Sequence, residues 1–204
     1  TWDQETKEHW IKTMQEHQDA DRLVQGRWFK NGRGCFFGCA MQTDENALPK
    51  AIAKMKLPAQ LVYLAEQIFE RLPQKEALKF PVELCKAIPV NVDITNVFHQ
   101  LSILRLRPLA EKNPAVAKEI NGVIKCCELA IAGGMPDWAR EARAARAARA
   151  AREARAARAA GEAWAAWEAG EAGEARAAWE AWEAGADFWV TERDNLLNEL
   201  RSAA

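Results

Sequence analysis

The chain has 204 residues, a formal net charge of −1 and five cysteines. That length suits one large domain or two small ones, and a charge so near zero offers long nucleic acid or an anionic membrane no global attraction. No apolar run approaches the roughly 18 residues of a membrane span, no signal peptide stands out, and an odd cysteine count without framework spacing speaks against disulfides, so a reducing, cytoplasmic setting is expected.

Residues 3–20 predict a helix with Asp3 as its N-cap and with Trp10, Met14 and His17 on one side at i, i+4 and i+7. Residues 25–39 (QGRWFKNGRGCFFGC) break that pattern with Gly26, Gly32, Gly34 and Gly38. Asn31-Gly32 between Trp28-Phe29 and Cys35-Phe36-Phe37 predicts a hairpin or a compact loop. Gly34 and Gly38 allow close backbone approach to a ligand or to a neighbouring helix. Two readings stand for this stretch. It is a packed turn, or its Arg27, Trp28, Lys30, Arg33 and Gly34 form a cradle for an anionic or nucleotide ligand. It is neither a Walker loop nor a dinucleotide fingerprint. Cys35 and Cys39 are spaced C-x₃-C, but zinc would need a second ligand pair, and Cys126-Cys127 is a poor one. Buried structural thiols are the expectation; no metal and no cofactor is assigned. A nucleophilic Cys35 would need a base, for which His99 is the distant histidine available.

From Leu57 the pattern turns helical. Pro58 opens a helix, Leu61, Val62, Leu64, Ala65, Ile68, Phe69 and Leu72 follow the i, i+3, i+4, i+7 template, and Pro73 ends it. A short helix starts at Pro81, with Val82, Leu84, Cys85 and Ile88 inward, and stops at Pro89. Asp93 is placed to cap the next, which carries Ile94, Val97, Phe98, Leu101 and Leu104 inward and is expected to stop before Pro108. Asn113-Pro114 marks another start; Val116 through Ile131 form one apolar face, and Gly133-Gly134 stops it.

Residues 139–186 read as sixteen triplets, each beginning with alanine. Ala, Arg and Glu favour helix, yet a repeat of three drifts by about 60° per triplet around a helix of 3.6 residues per turn. The arginines at 140, 143, 146, 149, 152, 155 and 158 therefore cannot share one solvated stripe, and some of them, Arg143 and Arg146 among the candidates, face neighbouring structure. Residues 139–160 carry a net charge of +5 and residues 161–186 a net of −5. The plainest reading is two antiparallel helices with Arg facing Glu. Trp164, Trp167, Trp179 and Trp182 make one stripe, for core packing or for stacking on a base beside arginine. Phe188, Trp189, Leu196, Leu197 and Leu200 form a last apolar stripe, with Thr191 and Asp194 as a capping-box-like start.

The segment Gly32-Arg33-Gly34-Cys35-Phe36-Phe37-Gly38-Cys39, the helix ending Ile68-Phe69-Glu70-Arg71-Leu72-Pro73 and the alanine-rich triplets together resemble uncharacterised phage and bacterial proteins that share a G-[KR]-G-C-x-x-G-C segment, an IFE-x-LP helix end and a variable Ala-rich tail. The resemblance brings no catalytic residues. It implies a phage-type accessory protein acting in the bacterial host's cytoplasm, and some small phage proteins counter host defence by sequestering nucleotide second messengers.

The expected fold is mainly all-α: an N-terminal helical module over 1–136, with the glycine-rich loop or hairpin at 25–39, packed with an Ala/Arg/Glu/Trp-rich helical region over 137–204. The expected function is non-enzymatic capture of a small phosphorylated ligand, a cyclic nucleotide signal, by Arg27, Trp28, Lys30, Arg33, Gly34, Arg143, Arg146 and Trp164. A protein–protein interaction module that inhibits a host protein and a Cys/His-dependent enzyme are the alternatives. Alanine-rich helices pair between chains as readily as within one, which makes a homo-oligomer a further expectation.

Overall fold

The structure, a computed structural model, describes residues 1–112, 114, 117–137 and 174–203, and for 174–186 the backbone alone. The expectations placed on residues 139–173, with Arg143, Arg146 and Trp164 among them, lie outside the described residues. Among those described, the protein is helical apart from one two-stranded sheet. Its contacts divide it into two compact units, Thr1–Phe98 with Glu183–Ala204, and His99–Trp182.

In the first unit, helix α1 (Gln4–Asp19) starts where expected, the Asp3 carboxylate accepting the Thr6 amide at 2.7 Å. Its buried residues are Trp10, Met14 and His17. The chain ahead of it is pinned by Trp2, whose indole N–H donates to the Met55 carbonyl and whose own carbonyl accepts the Asn91 amide at 2.7 Å. Strands β1 (Phe29–Lys30) and β2 (Arg33–Gly34) pair antiparallel through a two-residue loop in which Asn31 and Gly32 both have positive φ. That geometry matches the right-handed twist of a hairpin, and Asn-Gly accommodates it best.

Helix α2 (Phe36–Met41) follows directly. Phe36 stacks on Phe37 at 4.1 Å and meets Phe80 edge-on at 6.4 Å, which makes this short helix the centre of the core. Helices α3 (Ala47–Met55) and α4 (Ala59–Arg71) pack against it, and α4 buries the apolar stripe read from the sequence. Pro58 stands at the N-cap of α4, and Leu72 in extended backbone ends the helix ahead of Pro73. Helices α5 (Gln74–Ala77) and α6 (Phe80–Ala87) complete the layer; α6 carries Pro81 in its first turn and packs on α1.

Asp93 does not cap a helix. Its carboxylate accepts the Thr95 amide and hydroxyl at 2.9 and 2.6 Å, a local turn ahead of α7 (Val97–Lys112). Helix α7 also runs through Pro108 instead of stopping before it. Proline there removes the bond to the Leu104 carbonyl, but Leu104 and Pro108 are both exposed, so water can take the orphaned acceptor.

Helix α8 (Ala117–Ile131) lies in the second unit, where Ile103, Ile124 and Cys127 are buried together with Leu106, Ile120, Val123 and Ile131 against them. Arg107 pairs with Glu128 at 3.1 Å. Gly133, at φ +76°, turns the chain so that its amide and that of Gly134 bond back to Ala130 and Leu129, the glycine stop expected from the sequence.

Helix α9 (Glu174–Ser202) is continuous. The start expected at Thr191 is absent because the Thr191 hydroxyl donates back to the Asp187 carbonyl at 2.9 Å, a contact made inside a running helix. From Glu183 on, α9 belongs to the first unit. Leu196, Leu197 and Leu200 are buried, Arg193 bonds Glu76, and the Arg71 guanidinium lies 4.9 Å over the Trp189 ring. No described helix is long and apolar enough to cross a membrane.

Candidate functional site

The glycine-rich stretch and α4 together build a groove. Gly34 and Gly38 are the reason the Trp28 backbone lies so close to β2 and α2. A Cβ on either glycine would fall 1.8 Å from the Trp28 carbonyl oxygen, so only glycine lets the hairpin's incoming strand lie on α2. The close approach that these glycines permit is therefore to the protein's own backbone. Trp28 is then left facing outward at 46% exposure, with Arg27 beside it.

On one side the groove has a volume of ≈ 280 Å³ and is lined by Gly26, Arg27, Trp28, Glu66 and Glu70. A second recess of ≈ 470 Å³ shares Glu66 and Glu70 and adds Leu48, Tyr63, Gln67 and Arg71. The two carboxylates thus form a common floor, one helical turn apart on α4. Tyr63, 48% exposed, gives the second recess an aromatic wall as Trp28 does the first.

Glu66 is the unusual residue. It is only 7% exposed, and its Oε2 has no hydrogen-bond partner. Burial pushes its carboxyl up to about 7, an effect that the facing Cys35 thiol and Phe37 amide moderate and that Glu70 adds to. Glu70 is half-buried; its Oε2 accepts the Gly26 amide at 2.6 Å, and burial raises its carboxyl as well. Gln25, one residue earlier, donates to the Phe69 and Leu72 carbonyls at 2.6 and 2.9 Å, so the strand that carries Arg27 and Trp28 is tied to the C-terminal turn of α4.

Cys35, the residue ahead of α2, completes the floor from below. Its sulfur and one carboxylate oxygen each from Glu66 and Glu70 lie within 4.8 Å of one another. The thiol is 1% exposed, and burial, reinforced by Glu66, pushes its pKa far up, the opposite of what a nucleophile needs. Cys39 does not join it. Its thiol lies against the Arg22 and Gly34 carbonyls at 3.4 and 3.3 Å, and burial pushes it up to about 11. All five cysteines are buried, and no disulfide joins them.

Of the residues proposed from the sequence, Arg27 and Trp28 line the groove. Gly34 lies beneath the Trp28 backbone, Lys30 is exposed on β1, and Arg33 is held by Asp21 at 3.0 Å on the surface. Glu66 and Glu70 were not among them. The signal available was a glutamate inside an apolar face, since Glu66 shares its side of α4 with Val62, Ala65 and Phe69. No protein-family model, no curated protein and no solved structure matches the chain. What the fold and the site define is a class: a helical chain whose glycine-hairpin and α4 enclose an acid-floored, aromatic-walled groove.

Proposed function

We propose that the protein is a non-enzymatic binder that captures a small phosphorylated ligand of the nucleotide type in the groove between the hairpin and α4. The observation that carries this reading is the convergence of the exposed Trp28 ring and the Arg27 guanidinium on a floor holding the unpartnered Glu66 oxygen. An indole face offers stacking to any base, worth about 1–3 kcal/mol. A carboxylate floor accepts the N–H donors of a base edge, as acidic side chains do when they read exocyclic amines. Arg27 lines the first recess and Arg71, whose guanidinium also packs over Trp189, lines the second, and both offer charge to phosphate oxygens. The high pKa imposed on Cys35 favours capture over covalent chemistry.

The specific version, a counter-defence protein that sequesters a cyclic nucleotide signal in the bacterial cytoplasm, rests on the resemblance given above and sets the choice of probes. Native mass spectrometry of the purified chain with a panel of cyclic and linear nucleotides tests it. The expected result is one nucleotide bound and released unmodified on denaturation. A modified nucleotide would make the protein an enzyme, and no adduct across the panel would overturn the reading.

A further inference from the structure

We propose that Cys35, Glu66 and Glu70 form a divalent-cation site at the floor of the groove, with zinc as the best-fitting ion. Three donor atoms, one sulfur and two carboxylate oxygens, already lie within 4.8 Å of one another. Tetrahedral zinc, with Zn–S near 2.3 Å and Zn–O near 2.0 Å, would set S···O at about 3.5 Å and O···O at about 3.3 Å. The donors therefore have to draw together by at most about 1.5 Å on metal binding.

Two observations make this more than a cluster of acids. Glu66 Oε2 is buried and has no hydrogen-bond partner, whereas buried carboxylate oxygens in folded proteins ordinarily have one. Glu70 is held in place from outside, its Oε2 accepting the Gly26 amide, as a ligand's supporting shell does. The donor set selects the ion. A thiolate excludes calcium and magnesium as good occupants, and two carboxylates with one sulfur suit the borderline-soft zinc. Binding forms the metal–sulfur bond and releases the Cys35 thiol proton to solvent.

Cys35 lies below the floor, whereas both glutamates line the groove, so three protein ligands leave the fourth position directed at the space beside Arg27 and Trp28. The site itself does not depend on a nucleotide.

The test uses the full chain without nucleotide. Apo-protein is titrated with Co²⁺ and followed by absorption, with zinc content measured in parallel. One cobalt per chain with a thiolate-to-cobalt charge-transfer band, lost in Cys35→Ser and kept in Cys39→Ser, is the expected result. Should Cys35→Ser fail to fold, Glu70→Gln, at a half-buried position, serves instead. Supporting-shell changes alone cost about 10–100-fold in metal affinity, so loss of this ligand should weaken cobalt binding at least that much. Absence of cobalt uptake, uptake without the charge-transfer band, or a band abolished by changing Cys126 and Cys127 but not Cys35 would each overturn the site.

Discussion

Replacing Gly38 with alanine sets two effects of opposite sign against each other. In a helix, alanine is favoured over glycine by about 1 kcal/mol, and Gly38 lies in α2. Against this, the new Cβ would stand 1.8 Å from the Trp28 carbonyl oxygen and 2.5 Å from its carbon. A normal C···O contact is about 3.3 Å, so the hairpin backbone would have to retreat by about 1.5 Å. Overpacking costs about 1–3 kcal/mol even where flexible side chains can yield; here the obstructing atoms are main chain. The retreat also strains the hydrogen bond from the Cys35 amide to the Trp28 carbonyl, 2.9 Å long, worth about 1 kcal/mol. The net expectation for Gly38→Ala is destabilisation by about 3 kcal/mol, a fall in Tm of about 6–12 °C for a chain of this size. Calorimetry and urea unfolding measure it. A variant as stable as the wild type, or more so, would refute the backbone contact and with it the placement of Trp28 on the groove.

Other outcomes follow from the same geometry. Glu66 in the folded protein holds its proton up to about pH 7, against an ordinary carboxyl value of 4.5, because it is buried. The folded state therefore binds this proton more tightly than the unfolded state, and stability is lost as pH rises from the ordinary carboxylate range through 7. The loss amounts to about 3 kcal/mol by linkage. In chelator-treated protein, urea midpoints should fall over that window for the wild type and stay flatter for Glu66→Gln; parallel curves would contradict the burial of the carboxyl. Leu200 is fully buried at the end of α9, so Leu200→Ala should cost about 2–5 kcal/mol in the main unfolding transition. A negligible change would mean that the C-terminal helix does not dock in the first unit. Gly32 has φ +78° with open space around it, so Gly32→Ala should cost about 1–2 kcal/mol from backbone strain alone, without loss of the α2 packing. Unchanged stability would argue against the positive-φ turn.

The elements that were legible in the sequence are those fixed by short-range chemistry. Asp3 announces α1 because its carboxylate reaches an amide three residues on. Asn31-Gly32 announces the hairpin because both residues tolerate positive φ. The apolar stripe of α4 and the Gly133-Gly134 stop are equally local. Where the reading differs from the structure, long-range or solvent effects decide. Pro108 looks like a terminator, but the acceptor it orphans belongs to exposed Leu104, so α7 continues. Thr191 looks like a cap, but its hydroxyl is satisfied inside a helix that begins much earlier.

The candidate site was half legible. Arg27 and Trp28 stand out beside glycines, and both do line the groove. Glu66 and Glu70 read as ordinary residues of an amphipathic helix, because what sets them apart is Cys35, which arrives from the turn ahead of α2 and brings its sulfur to them. Arg33 and Lys30 carry the same charge as Arg27, but an alternating hairpin sends neighbouring side chains to different faces, and Arg33 is taken by Asp21.

We propose the groove between the hairpin and α4 as the nucleotide-binding site. Its most direct test is an equilibrium titration of the nucleotide panel against wild type, Trp28→Ala and Arg27→Ala, each first shown by thermal denaturation to be folded. Both residues are exposed, so folding should be retained. Loss of a stacking platform worth about 1–3 kcal/mol predicts affinity reduced by about 5- to 150-fold in Trp28→Ala, with a loss in Arg27→Ala as well. Wild-type affinity in both folded variants would rule the groove out as the binding site.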